Sequence, residues 1–227
     1  MHENSVKKLS ELVLKEYKSH SKQNVFTVAI SGIDASGKGF VSNLLQSELE
    51  AQDLKIANIN IDPWQNPITL RLQKENPAGN FYKLVFRWDD FFAQLIAPLK
   101  KNGSIYFDTM LIRTDADEYY RYTYNFSDVN IILVEGIFLF KKEFLKYYDS
   151  KIWIDCSFNT GLQRAILRNS ENLSKGQLVH DYDTYDYPAQ RYHFQQDNPQ
   201  NSSDIIYCND ELLGTVGHLT VNSLGEV

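Results

Sequence analysis

The sequence predicts an α/β fold built on a parallel five-stranded sheet flanked by helices, and three observations carry that prediction. Short β-branched, apolar runs recur along the chain, segments of helical periodicity separate them, and the 227-residue length suits one sizeable α/β domain. The first element is a helix over residues 5–19, where Val6, Leu9, Val13 and Tyr17 keep the three- and four-residue spacing of an amphipathic face. VFTVAI at 25–30 reads as a strand buried on both faces, and Val41, Leu44, Leu45 and Leu49 give the helix after it. Strand character returns at KIANINI (55–61), SIYFD (104–108), NIILVEG (130–136), KIWID (151–155) and DIIYC (204–208). Helical candidates lie between them at 81–100, 141–148 and 160–170. This alternation favours right-handed crossovers, with ligands outside the carboxyl ends of the strands. Residues 171–203 are polar, Tyr-rich and weakly periodic, which predicts a lid or long loop within a single domain spanning 1–227.

Bulk composition narrows the function classes. The formal charge is −6, the wrong sign for a protein that wraps a nucleic-acid backbone. The expected partner is instead a small molecule, and an oligomer is compatible with the aromatic content. Two cysteines, Cys156 and Cys208, are too few for a disulfide framework. No uninterrupted apolar run reaches membrane-spanning length, and the first twenty residues lack a signal-peptide pattern, so a cytoplasmic protein with no membrane association is expected.

Between the first buried strand and the next helix lies SGIDASGKGF, residues 31–40. Gly32, Gly37 and Lys38 satisfy G-x-x-x-x-G-K in the strand–loop–helix setting that a phosphate-binding loop requires. Its backbone N–H groups would cradle phosphate at a helix N-terminus, and Lys38 would reach the β- and γ-phosphates of ATP. The expected nucleotide contacts are Gly32, Asp34, Ala35, Ser36, Gly37, Lys38, Gly39 and Phe40. Gly39 stands where a Ser or Thr hydroxyl normally meets the metal. Two acids, Asp62 in NINIDPW and Glu135 in ILVEG, close neighbouring strand candidates and would face the same end of the sheet. Asp62 also reads as a turn or N-cap acid before Pro63. Arg164 and Arg168, four apart, share one helix face, either toward phosphate or toward solvent.

GIDASGKG, IDPW, IILVEGIFLF and IDCS leading into GLQRAILRN resemble the uridine kinase branch of the P-loop kinases, together with its phosphoribulokinase and pantothenate kinase relatives. The likeness runs from about residue 25 to 210 and implies a P-loop NTPase fold with a lid, ATP and Mg²⁺. It implies that Lys38, Asp62, Arg164 and Arg168 serve catalysis, Asp62 as the base that takes the acceptor proton. It further implies that Glu135 and Asp62 organise the metal. The chain departs from the family at Gly39 and in a lid poor in arginine, where ENLSKGQL offers Lys175 alone.

On the acceptor side, Arg87, Asp89, Tyr106 and Arg113 are the expected substrate residues. FYKLVFRWDDFF (81–92) reads equally as an amphipathic helix with core aromatics. Tyr106 and Asp108 resemble a family Tyr-Asp pair with one residue inserted. His180 and His193 have no partners at metal spacing and read as surface or lid residues. The functional expectation is γ-phosphate transfer from ATP to a hydroxyl, foremost of a nucleoside. Alternatives are another acceptor (pantothenate, glycerate or a sugar phosphate) or a nucleotide-binding protein that has lost turnover.

Overall fold

The computed structural model describes residues 2–21, 23–113, 116–169 and 173–222. In chain order the elements are α1 (His2–Ser19), β1 (Phe26–Gly32), α2 (Lys38–Glu50), β2 (Ile56–Asn60), α3 (Ile68–Arg71) and α4 (Pro77–Leu84). A short α5 (Trp88–Asp90) runs through a π-helical stretch, Phe91–Ile96, into α6 (Ala97–Asn102). Then come β3 (Ile105–Ile112), β4 (Tyr119–Phe126), β5 (Ile131–Gly136), β6 (Ser150–Asp155) and α7 (Phe158–Arg168). The chain continues with α8 (Lys175–Asp181), a π-helical turn at Tyr182–Asp186, α9 (Tyr187–Asp197), β7 (Ile205–Cys208) and β8 (Leu219–Val221).

The central sheet has the order β2-β5-β1-β6-β7-β8. Its first five strands are parallel, as the alternation of runs and helices predicts, and β8 adds an antiparallel edge on β7. β1 and β5 are buried at every position, which explains their unbroken apolar character. On one face, Val6, Leu9 and Val13 of α1 and Val41, Leu45 and Leu49 of α2 pack on Val28, Ile30, Leu133 and Ile154. On the other, Ala29, Ile132 and Val134 meet an aromatic-rich layer from Trp64 through Phe81, Trp88, Phe91 and Phe92. The amphipathic reading of 81–92 therefore holds, although the segment is broken into several turns. Among the described residues no helix is long and apolar enough to cross a membrane.

Three expectations need correction. SIYFD is a strand, but it belongs to a separate two-stranded antiparallel sheet with β4, because its alternating half-exposed pattern suits a hairpin better than a buried parallel strand. Helix is confined to a single 3₁₀ turn, Leu145–Tyr147, within 141–148. The described part of 171–203 is mostly helical over Lys175–Asp197 rather than loop. The π-helical turn inside it explains the weak periodicity, since an extra residue per turn rotates the apolar stripe out of phase. Residues 171 and 172 of that stretch lie outside the described residues.

Gly136 ends β5 in a space that admits no side chain, since a Cβ there would stand 2.2 Å from Ile61 Cγ2. We expect Gly136→Ala to destabilise the protein by about 1–3 kcal/mol, read as a lowered urea midpoint, by overpacking the joint beside Asp62 and Glu135.

Candidate active site

The parallel register sets the site. Ile30 pairs with Glu135 across β1 and β5, and Asn60 pairs with Glu135 across β2 and β5. The glycine loop, Asp62 and Glu135 therefore leave the sheet side by side at its carboxyl edge.

The loop itself is held in an unusual backbone shape. Ala35 (φ 54°) and Gly37 (φ 94°) both lie in the left-handed region. Gly37 has no room for a side chain, because a Cβ would meet Asn209 Nδ2 at 2.3 Å. The Ser36 carbonyl accepts from Arg164 Nη1 at 3.0 Å and from Asn209 Nδ2 at 2.7 Å. Arg164 also donates to the Asn209 carbonyl at 3.0 Å and pairs with Glu211. Its guanidinium thus braces the loop from behind, a role that spacing along α7 does not reveal. Asn209, which sequence reasoning missed, sits just past β7, where only the sheet order brings it to the loop.

Lys38 is buried and donates to the Ile33 carbonyl at 2.8 Å. It lines a 380 Å³ cavity together with Asp34, Gly39, Asp62, Glu135, Arg164 and Arg168. Ala35, Gly37 and Phe40 also border it, with Phe40 half exposed, whereas Gly32 and Ser36 are packed beneath the loop. Burial, seconded by the Asp62 charge and opposed by Lys38, pushes the Glu135 carboxyl up to about 7. Burial likewise raises Asp62, with Lys38 again opposing. The Glu135 carboxylate is 7% exposed and receives no hydrogen bond or ion pair from any described residue. An orphaned buried carboxylate is costly unless a cation or a proton joins it.

Two such acids beside phosphate amides fit Mg²⁺, which commonly takes one or two carboxylates and fills its remaining positions with phosphate oxygens and water. Among the described residues no cluster of three or more metal-ligating side chains exists, so the protein would supply two ligands at most from side chains here. Gly39 leaves open space at this point, since a Cβ would lie 3.5 Å from Glu135 Oε1, an ordinary contact.

A second cavity, of 340 Å³, adjoins the first and shares Asp34, Asn60, Asp62 and Arg168 with it. Arg71, Gln65, Phe81, Tyr182 and Asp186 complete much of its wall. The Tyr182 hydroxyl donates to Asp34 Oδ2, Arg168 pairs with the same oxygen at 3.7 Å, and Gln190 Oε1 accepts from the Asp34 N–H at 3.1 Å. Asp34 is therefore the tie between the loop and the helical segment 175–197, a part that its place in the motif does not disclose.

The four expected substrate residues do not line this cavity. Arg87 is spent on the Met110 carbonyl at 2.6 Å and stacks over Trp64 at 5.1 Å. Asp89 faces a different cavity, Tyr106 stands 73% exposed on the hairpin, and Arg113 lies at the hairpin tip over the Tyr120 ring. For Tyr106 and Arg113 the reason is the detour of β3 and β4 away from the main sheet; Arg87 and Asp89 sit at the start of α5, with Asp89 on another cavity. His193, read as a surface residue, is instead buried and bonded to Asp197 at 2.7 Å.

Comparison with known proteins agrees with this geometry. No family model matches the chain. A uridine kinase of Limosilactobacillus reuteri is 28% identical over 148 residues, covering 63% of this chain and 64% of the relative's own length. A solved structure named as a possible uridine kinase from Bacillus stearothermophilus superposes with a TM-score of 0.70 at 18% identity, over 89% of this chain and 97% of that one. The D-glycerate 3-kinase of Cryptococcus neoformans gives a TM-score of 0.67 at 12% identity, over 96% and 99%. The fold is that of the P-loop kinases, and the chain is similar to their uridine kinase-like members.

The raised Glu135 carboxyl sets a pH dependence. Its stabilising contribution to the metal-free protein is complete below its unfolded value near 4.5 and is lost as pH rises through about 7. Glu135→Gln should raise the melting temperature at pH 8 by several degrees, at about 2–4 °C per kcal/mol for a chain of this size, and by far less at pH 4. Equal shifts at both pH values in differential scanning calorimetry would contradict this assignment.

Proposed function

We propose that the chain is an ATP-dependent kinase that transfers the γ-phosphoryl group to a hydroxyl of a small, uncharged, polyhydroxylated acceptor, with a nucleoside as the best-fitting class. One observation carries the reading: Asp62 borders both cavities, so its carboxylate stands between a phosphate cradle and a polar pocket, while Asp34, the other carboxylate shared by both, is tied to Tyr182 and Arg168. The loop amides and Lys38 would hold the phosphates of ATP, while Glu135 and Asp62 would hold Mg²⁺, which supplies charge neutralisation between the phosphate oxygens when bound.

In the transfer, Asp62 takes the proton as the acceptor O–H bond breaks, and the acceptor oxygen forms a new bond to the γ-phosphorus. The bond from that phosphorus to the β–γ bridging oxygen breaks, and its electron pair leaves on ADP. The raised affinity of Asp62 for a proton suits it to this work near neutral pH. Lys38 meets charge that gathers on the transferred group, and Arg164 acts at one remove by fixing the loop.

The acceptor pocket favours an uncharged substrate. Its wall carries four carboxylates, Asp34, Asp62, Asp181 and Asp186, against two guanidinium groups, Arg71 and Arg168. Carboxylates accept from sugar hydroxyls and repel a glycerate, pantothenate or sugar-phosphate anion. Phe81, Leu72 and Val85 give the same pocket an apolar side for a flat ring. One feature favours a second reading: without a hydroxyl at residue 39 the chain would bind nucleotide but not turn it over.

Assays of γ-phosphate transfer with Mg·ATP against nucleosides and small hydroxy acids separate these readings, with Lys38→Ala as the inactive control. We expect a nucleoside to be phosphorylated and Asp62→Asn to lower kcat by roughly 10²–10⁴-fold with little change in nucleotide KM. Transfer to hydroxy acids alone would overturn the acceptor class, and nucleotide binding without transfer to any acceptor would favour the second reading. Gly39→Ser, which the local space admits, should lower the Mg²⁺ concentration needed for half-maximal rate by several-fold. An unchanged Mg²⁺ requirement would show that residue 39 does not face the metal.

A further inference from the structure

Away from the phosphate loop, a cavity of 500 Å³ opens between α4, α5, the end of α9 and the segment 141–144 that follows β5. It shares no lining residue with the phosphate or acceptor cavities. Lys141 lies in its wall and is only 4% exposed. The ammonium sits 4.1 Å from the Tyr82 ring centroid and 4.7 Å from that of Trp88, and donates to the Tyr82 carbonyl at 2.6 Å. It makes no ion pair with any described residue.

Asp197 borders the same cavity but is already engaged. It accepts from the Tyr82 hydroxyl at 2.5 Å, bonds His193 Nδ1 at 2.7 Å and accepts from the Lys142 N–H at 3.2 Å. Trp88, also in the wall, has an indole N–H with no partner. Lys83 and Lys142 at the rim are balanced by Asp89 and Glu143. Glu143 and Asp197 also act on the Lys141 charge without pairing with it, so the wall carries a buried cation with no carboxylate in direct contact and an indole donor with no partner. Aromatic faces offset part of the cost of burying an ammonium, yet a buried charge without a counter-ion remains expensive. Burial accordingly lowers Lys141 to about 8.

We propose that this cavity is a second binding site for a small anionic metabolite, whose carboxylate or phosphate pairs with Lys141 while its flat or apolar body lies against Trp88 and Phe144. The site shares no residue with the proposed phosphoryl-transfer cavities, but the same elements run past both. Helix α4 turns Phe81 to the acceptor cavity and Tyr82 to this one, and the segment carrying Tyr182 and Asp186 continues through α9 to Asp197. An occupant would therefore bear on two elements that shape the acceptor pocket.

The test uses the full chain with Lys38→Ala, which disables the phosphate loop, labelled with ¹⁵N so that the indole N–H signals of its three tryptophans are resolved. Benzoate, phenyl phosphate and benzylamine are the probes, titrated separately. We expect at least one of the two anions to move a single indole signal saturably, benzylamine to move none, and Lys141→Met to weaken that anion by at least about tenfold, a loss of 1.4 kcal/mol or more. The better anion identifies whether carboxylate or phosphate is preferred. Absence of saturation by both anions, equal binding of benzylamine, or full affinity in Lys141→Met would overturn the proposal. If Lys141→Met does not fold, Trp88→Phe keeps a ring while deleting the N–H, and the same anion is then titrated by isothermal calorimetry in both proteins; a several-fold loss supports the site and an unchanged affinity overturns it.

Discussion

Parallel pairing of β5 between β1 and β2 is the constraint on which the rest of the molecule depends. Because Glu135 stands opposite Ile30 on one side and Asn60 on the other, the end of β5 is level with the start of the glycine loop and with the turn that carries Asp62. That register is protected by burial. A slip of one residue would turn Val28, Ile30, Ile131 and Leu133 from the α1–α2 side to the aromatic side of the sheet. The loop inherits the precision of the sheet and adds strain of its own at Ala35, a left-handed non-glycine residue whose cost is on the order of 1–3 kcal/mol. Arg164 and Asn209 offset that cost by holding the Ser36 carbonyl, so β6 and β7 act on the loop through the residues that follow them.

Legibility in the sequence follows the same division. Elements buried on both faces announce themselves, since an unbroken run such as IILV has no other stable place, and the ends of such runs locate Glu135 and, less sharply, Asp62. The glycine loop is legible because its glycines answer to sterics; Gly37 meets Asn209 and Gly32 meets the Ile154 carbonyl. The β3–β4 hairpin is not, because YYRYTYNF alternates exposed and half-buried positions and a strand pattern carries no record of its partner. The acceptor wall is the least legible of all. Arg71 comes from α3, Phe81 from α4, and Asp181, Tyr182 and Asp186 from the far side of the chain, and only the tertiary fold gathers them. π-Helical stretches at 91–96 and 182–186 compound the difficulty by rotating each apolar face partway along its helix.

The roles of the two arginines illustrate why chemistry cannot be read from residue type. Both border the cavity at the glycine loop, and both carry the same charged group. Yet Arg164 is enclosed by three carbonyls, those of Ala35, Ser36 and Asn209, and by Glu211, whereas Arg168 is half exposed and pairs with Asp34 across 3.7 Å. A guanidinium saturated by backbone carbonyls shapes the cradle, whereas one that meets a carboxylate at the cavity wall contributes charge to the cavity itself.

Charge balance bears on how an acidic protein would accommodate the polyanion that the proposed function requires. Asp34, Asp62 and Glu135 face Lys38, Arg164 and Arg168 across the phosphate cavity, so its side chains sum to no net charge. With Arg164 and Arg168 already paired, Lys38 is the cation among these residues that makes no ion pair with a described residue. Attraction for a nucleotide must then come from loop amides, from Lys38 and from whatever neutralises Asp62 and Glu135. Their raised proton affinities show that these acids are poorly compensated by the protein alone. Under the proposed function, Asp62 and Glu135 would hold a divalent cation, which would supply the positive charge that these acids and the phosphates of a nucleotide both lack. Gly39 fits the proposed balance: a hydroxyl at that position would contribute a dipole but no charge, so on this reading its absence would weaken one contact and leave the charges around the cavity unaltered.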